Sequence, residues 1–88
     1  MGKSSTYIVR INYVLSDYSI GLVSGILFEA KCTEIRARTI REISLLNTIS
    51  VSYTEFKFKQ ENPEVVDEID DRLFMLSISH EIRCAEKE

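Results

Sequence analysis

The first candidate for chemistry is His80, the only histidine in the chain, with Ser79 beside it and Cys84 four residues further on. A serine or cysteine nucleophile needs a base next to it that can take its proton. On a strand, His80 and Cys84 would share one face but would lie too far apart for direct contact, and Ser79 would point the other way. Because His80 also falls on the face with apolar neighbours, we expect a partly buried, hydrogen-bonded ring. The sequence therefore predicts that the protein is not an enzyme.

Metal and cofactor chemistry has no better support in the sequence. A structural zinc site takes about four ligands, whereas Cys32, Cys84 and His80 supply only three candidates. The acidic residues of segment 67–71 lack the spacing and the glycine of a calcium-binding loop, and the chain has no glycine-rich phosphate loop. We therefore expect no metal, no cofactor and a solvated acidic segment.

A cluster of arginines offers a different kind of chemistry. Arg36, Arg38 and Arg41 fall within six residues, and Arg10 on a predicted first strand could lie beside them. A guanidinium group makes forked hydrogen bonds to phosphate oxygens and can stack on bases. These four arginines are therefore the candidate RNA-binding residues. The alternative is ordinary surface charge, paired with the glutamates of the same segment.

The charge of the chain is divided along its length. The 88 residues carry a formal net charge of -3, which excludes a protein that coats nucleic acid with its whole surface. Residues 1–60 hold eight basic and five acidic side chains, whereas residues 61–88 hold three basic and nine acidic ones. The sequence therefore predicts one small domain over 1–88 with a mildly basic body and an acidic segment at 61–71.

The sequence also gives expectations about where the protein works. The longest apolar run, residues 20–28, is nine residues long, and a membrane span needs about 20. The N-terminus lacks the apolar stretch of a secretory signal, and the two cysteines lie far apart. We expect no membrane association, and reduced thiols in an intracellular protein.

The elements that must position these side chains are predicted from periodicity. Ser16 can cap a helix over 17–30, whose apolar residues fall on one stripe. Gly21 and Gly25 within it are expected to allow close packing on a sheet. Strands are predicted over 6–13, 32–38, 55–60 and 74–84 from alternation and β-branched content.

Residues 39–50 allow two interpretations. Thr39 and Glu42 have the spacing of a capping box, and the apolar residues that follow continue at helical spacing, which predicts a helix over 40–50. The same stretch also alternates from Ile49 onward, which predicts a hairpin that turns at residues 46–48. The two interpretations lead to different folds.

The fold class is α+β in both cases. With a helix at 40–50 the order is βαβαββ in a two-layer sandwich. With a hairpin there and a helix over 62–72, started by Asn62-Pro63-Glu64, the order is βαββαβ, the ferredoxin-like arrangement. The capping box favours the first layout and the Asn-Pro-Glu start favours the second.

Three segments resemble a known family. Residues 32–35 (CTEI), 41–44 (REIS) and 64–68 (EVVDE) look like the Alba superfamily of small dimeric nucleic-acid-binding proteins with a βαβαββ fold. Among these, the chain most resembles the smaller Alba-type subunit of eukaryotic ribonuclease P and ribonuclease MRP. The resemblance covers roughly residues 6–84, and the acidic stretch is its most distinctive part.

This resemblance implies a function. The protein would be a non-catalytic, structural RNA-binding subunit of a ribonucleoprotein that processes tRNA and rRNA, located in the nucleus or nucleolus of a eukaryote. It would act as a heterodimer with a more basic Alba-type partner, or as a self-dimer. Since the net charge is negative, we expect weak RNA binding by the chain alone, with segment 61–71 facing away from the RNA.

The main alternative belongs to another class. The ferredoxin-like layout would suit a small-molecule-sensing or protein-interaction domain similar to the ACT type. Such a domain would hold its ligand between subunits at residues 16–25. The discriminating feature is the secondary structure of residues 40–50 and 62–72.

Overall fold

The computed structural model describes residues 4–43 and 50–85. Two helices and a four-stranded antiparallel sheet confirm the α+β class. The order along the chain is βαββαβ, the second of the two predicted layouts. The elements are β1 (Ser5–Ile11), α1 (Asp17–Glu29), β2 (Thr33–Ile43), β3 (Ser50–Gln60), α2 (Pro63–Met75) and β4 (Glu81–Cys84).

The capping-box interpretation of residues 39–43 is wrong. Thr39 and Glu42 lie inside β2, where they pair with Thr54 and Val51 of β3. Inter-strand hydrogen bonds there take the backbone groups that a helix would have used. The remainder of the predicted helix, residues 44–49, and the turn predicted at 46–48 lie outside the described residues.

The sheet has the strand order β2-β3-β1-β4, with every neighbouring pair antiparallel. Strands β2 and β3 have eleven residues each, whereas β1 has seven and β4 has four. Because β1 pairs only with residues 54–60 of β3, the paired strands β2 and β3 extend beyond the rest of the sheet. The sheet is therefore longest at the β2 edge and in β3, and it becomes shorter towards the β4 edge.

Both helices cover the same face of the sheet. The core joins strand and helix residues in one cluster, with fully buried aromatic rings from β3 at its centre. Burial of this apolar area is the main stabilising contribution to the fold. The cluster includes Val9, Ile11, Val23, Ile26, Leu27, Phe56, Phe58, Ile69 and Leu73.

The acidic segment forms the first turns of α2. Asn62 is its N-cap, with Oδ1 accepting from the backbone N–H of Glu64 at 2.9 Å, and Pro63 occupies the first helical position. The predicted start at Asn62-Pro63-Glu64 is confirmed. Val66, Ile69 and Leu73 face the core at helical spacing, which places the acidic side chains between them on the outer surface.

The last strand is shorter than predicted. Residues 74 and 75 still belong to α2, and β4 begins only at Glu81. Ser77, just beyond the C-cap Leu76, has a left-handed φ of 62°, and the Ile78 N–H donates to Leu73 O at 3.0 Å. This is the hydrogen-bond pattern of a Schellman motif, built without the usual glycine.

The two glycines of α1 do not pack on the sheet. Gly21 and Gly25 are exposed, and a Cβ built on either would meet nothing within 4 Å. The close approach predicted for them is therefore wrong. They lie instead on the solvent side of α1, together with the exposed side chains of Tyr18, Leu22 and Phe28.

Candidate nucleic-acid interface

Strand alternation divides the sheet into a covered face and an open face. Val9 and Phe56 point into the core, so their neighbours Ile8 and Lys57 point to the other side. The helices lie on the first side only. The second side, the open face of the sheet, carries most of the basic side chains of the strands.

One cross-strand line on this face has an unusual composition. The register places Arg83 of β4 beside Ile8 of β1, Ile8 beside Lys57 of β3, and Lys57 beside Arg36 of β2. Among the described side chains, no carboxylate forms a salt bridge with any of these three cations. We call Arg83, Ile8, Lys57 and Arg36 the basic row.

The next line along the strands is neutralised internally. It runs Glu81, Arg10, Glu55, Arg38 from β4 to β2, so that acidic and basic residues alternate. Glu55 Oε1 accepts from Arg38 Nη2 at 2.9 Å and from Nε at 3.0 Å. The Glu55 side chain is 14% exposed and Arg38 71%, so this pair is partly shielded from solvent. We call these four residues the paired row.

Arg10 of the paired row also contacts two residues outside that row, Tyr53 and Asn12. Its guanidinium carbon lies 4.0 Å from the centroid of the Tyr53 ring, and its Nε donates to Asn12 Oδ1 at 3.1 Å. A cation over an aromatic face is attracted by the electron-rich face of the ring. Arg10 is therefore held against Tyr53, which presents an aromatic surface at one end of the open face.

Two shallow clefts lie on either side of the central cations. One has a volume of about 490 Å³ and is lined by Arg38 and Glu55 in addition to Arg36 and Lys57. The other, of about 430 Å³, is lined by Thr6, Glu34, Phe58 and Lys59 together with the same two cations. Arg36 and Lys57 thus form a ridge between two depressions, and Lys59 beyond it is paired with Glu34 at 3.5 Å.

The structure brings together three of the four predicted RNA-binding residues. Arg10, Arg36 and Arg38 share the open face, whereas Arg41 pairs with Ser52 and falls on the opposite face of the hairpin. The helix N-terminus expected next to these arginines is absent from the described residues, because β2 continues through Ile43. Sequence reasoning missed Lys57 and Arg83, although the alternation of residues 55–60 already indicated that its lysines point outward.

The outer surface of α2 has the opposite charge. Its acidic side chains face solvent, and the only basic residue of the helix, Arg72, lies 3.4 Å from Glu29 of α1. The sheet's open face and this surface lie on opposite sides of the core. The acidic residues of this surface are Glu64, Asp67, Glu68, Asp70 and Asp71.

The His80 ring is largely buried and hydrogen-bonded, as the sequence predicted. Its Nδ1 lies 2.7 Å from Ile78 O and its Nε2 lies 2.5 Å from Asp70 Oδ1. The side chain is only 6% exposed. Both ring nitrogens are therefore engaged by acceptors of the α2–β4 region, and neither is directed at Ser79 or Cys84.

The two cysteines are free thiols in different surroundings. Cys32 is buried at the end of α1, while Cys84 is exposed on β4. Burial raises the pKa of the Cys32 thiol, and the hydrogen bond donated by Gln60 Nε2 at 3.4 Å opposes that rise. Within residues 4–43 and 50–85, no group of three or more metal-ligating side chains comes together.

The chain was compared with models of protein families and with curated proteins. No model of a known protein family matches it, and no curated protein is significantly similar to it. Within the described part of the chain, neither helix has the length and apolar character to cross a membrane. The open face of the sheet, with its basic row, is the feature of the structure that indicates a function.

Proposed function

We propose that the protein is a non-catalytic RNA-binding protein that holds RNA on the open face of its sheet. The observation that carries this proposal is the basic row, which crosses all four strands without a carboxylate. A polyanion that neutralises these cations releases its condensed counterions, which favours binding. Phosphate contacts of this kind position an RNA without reading its sequence.

RNA fits this face better than a generic polyanion because apolar and aromatic groups lie among the cations. Ile8 is half-buried in the basic row, and Tyr53 lies beyond the paired row. One common RNA-binding module uses aromatic side chains on a four-stranded sheet to stack the bases of single-stranded RNA. Arginine adds both forked phosphate contacts and stacking on bases.

The negative net charge does not oppose this function, because the acidic residues lie on the other side of the molecule. Charges further apart than about 8 Å are largely screened at physiological ionic strength. The acidic surface of α2 is separated from the open face by the core and the sheet. An RNA on the open face would therefore lie away from segment 61–71, the orientation expected from the sequence.

A protein partner is a second part of the proposal. The solvent side of α1 exposes Tyr18 (80%) and Phe28 (76%) with Leu22 between them, and acidic Asp17 and Glu29 stand at its two ends. Exposed apolar patches rimmed by charge are typical of protein-interaction sites. Glu29 is paired with Arg72, so Asp17 supplies the uncompensated charge at this patch, and the apolar side chains carry the argument for a partner such as the one implied by the resemblance.

The assignment to a ribonucleoprotein is the most specific part of the proposal. It places the protein in a nuclear ribonuclease P- or MRP-like particle that processes tRNA and rRNA. Its support is the sequence resemblance of segments 32–35, 41–44 and 64–68 alone. The observed order βαββαβ is not the order of the Alba family, since residues 41–43 lie in β2 and residues 64–68 in α2. Sequencing of RNA recovered with the protein from native extract tests it.

Titration of a fluorescent oligouridine of about eight nucleotides tests RNA binding directly. We expect a Kd in the range of about 1 to 100 µM at physiological salt, which weakens as salt rises, and an intact oligonucleotide afterwards. Lys57→Glu on the open face should abolish binding. Glu68→Lys on α2 should leave it nearly unchanged.

Two outcomes would contradict the proposal. The first is the absence of binding by the wild-type protein at low salt. The second is equal and opposite effects of Lys57→Glu and Glu68→Lys, because this result would mean that net charge and not the open face determines the interaction.

The observed order βαββαβ favours one alternative, a small-molecule-sensing domain of the ACT type. Its ligand segment, residues 16–25, presents Gly21 and Gly25 to solvent with nothing within 4 Å of their Cβ positions. A second subunit would have to enclose the ligand there. A rise in Tm with one free amino acid, and none with RNA, would favour this alternative.

A further inference from the structure

We propose that the RNA crosses the sheet along the basic row, perpendicular to the strands, and that the paired row forms the border of this track. The inference rests on the proposed RNA-binding function and adds which residues carry it. It assigns phosphate contacts to Arg36, Lys57 and Arg83. Arg38 lies on the same face, but we do not assign it a principal phosphate contact.

The first step is the difference in charge compensation between the two rows. Arg38 already gives two donors to Glu55, so a phosphate that bound Arg38 would have to displace a shielded carboxylate. Arg36 and Lys57 stand directly opposite each other in the register, and like charges in this position destabilise a sheet. An anion placed between them would relieve that repulsion, while at Arg38 it would meet a neighbouring negative charge.

The second step is the shape of the face around Arg36 and Lys57. The clefts of about 490 and 430 Å³ lie on opposite sides of these two cations. A phosphate bound on the ridge would therefore have a depression on either side for the flanking nucleosides.

The third step is the length of the track. Three inter-strand spacings of about 4.8 Å give a row of about 14 Å. Arg83 lies at the β4 edge, two strands from Lys57, with half-buried Ile8 between them. Two phosphate positions separated by an apolar contact suit a short single-stranded segment. Double-stranded RNA, in contrast, is recognised over about 16 base pairs.

The test compares two arginines of the same strand and the same face. Arg36→Gln and Arg38→Gln in the full chain are titrated with the oligouridine at several concentrations of KCl. Arg36→Gln removes a charge-assisted contact and should weaken binding by about tenfold. The slope of log Kd against log [KCl] should fall by about one unit. Lys57→Gln should behave like Arg36→Gln. Arg38→Gln leaves Glu55 without its partner beside the track and should weaken binding by no more than about threefold.

Glu55→Gln provides the opposite change within the paired row. It frees Arg38 and removes a negative charge beside the track, so binding should tighten. Equal weakening by Arg36→Gln and Arg38→Gln, or no effect of Glu55→Gln, would overturn the track while leaving RNA binding intact. Absence of wild-type binding would instead overturn the proposed function. Equal affinity for a glutamate peptide of the same charge would overturn RNA as the occupant.

Discussion

The open face of the sheet and the outer surface of α2 lie on opposite sides of one core and carry opposite charge. The sheet presents cations because Val9 of β1 and Phe56 of β3 point into the core, which turns the neighbouring basic residues Arg10 and Lys57 outward, and Arg36 of β2 pairs with Lys57 on the same face. The helix presents carboxylates because Val66, Ile69 and Leu73 take the core positions of an otherwise acidic segment. The net charge of -3 therefore describes neither surface.

The difference teaches that the charge of each face, and not of the whole chain, decides what the protein can bind. A phosphate chain that approaches the sheet meets the basic row, whereas one that approaches α2 is repelled. Both surfaces nevertheless depend on the same buried cluster. Substitutions can therefore separate the core, the helix surface and the open face by their effects on stability and on binding.

The largest effect on stability is expected in the core, which lies between the two surfaces. Phe56→Ala removes a fully buried ring from β3 and should lower the free energy of unfolding by about 3–5 kcal/mol. Phe74→Ala removes a ring of α2 that is 75% exposed and should change it by less than about 0.5 kcal/mol. Urea denaturation measures both. Similar values would mean that the core does not lie between the sheet and the helices.

A smaller loss of stability is expected at Thr54, a fully buried polar residue of β3. Its Oγ1 accepts from the Leu15 N–H at 3.0 Å and donates to Tyr13 O at 2.9 Å, which fixes the connection from β1 to α1. Thr54→Val leaves both backbone groups without this partner and should cost about 1–3 kcal/mol in urea denaturation. Thr39→Val, at the exposed paired position of β2, is the matched control. Its cost should be much smaller.

On the helix surface we expect stabilisation. Gly25→Ala places a methyl group in open space and should raise the free energy of unfolding by about 0.5–1 kcal/mol, because alanine loses less backbone entropy in a helix. RNA affinity should stay unchanged, since α1 lies on the covered side of the sheet. A lower Tm would contradict the solvent position of Gly25.

The smallest effect on stability is expected on the open face, where it should oppose the effect on binding. Arg36→Gln removes one of two like charges that stand opposite each other and should stabilise the chain by a few tenths of a kcal/mol. The same variant should bind the oligouridine about tenfold more weakly. Thermal unfolding and anisotropy on one sample measure both. A loss of stability would show that Arg36 has a structural partner.

Local signals in the sequence predicted part of this fold, and pairing over distance decided the rest. The start of α2 is confirmed because an asparagine cap and a proline act within one turn. The capping box at Thr39 is wrong because β3 supplies pairing partners that a helix prediction does not contain. The predicted strand over 74–84 began too early, because the left-handed Ser77 that ends α2 is not a glycine.

The candidate site was only partly predictable for the same reason. Arg36 and Arg38 are two residues apart on one strand, so their shared face follows from alternation. The contrast between them depends on Glu55 and Lys57 of β3, and on the register that places one opposite each arginine. Arg83 joins the basic row only through β4, the last strand of the chain. No local pattern contains that information.

The most direct test of the central claim is an NMR titration of the labelled full chain with the oligouridine, in which backbone amide shifts are followed residue by residue. We predict that the largest changes occur at Ile8, Arg36, Lys57 and Arg83, while residues 63–75 of α2 change little. The largest changes on α1 or α2, with an unaffected sheet, would contradict the assignment of the open face as the RNA-binding surface.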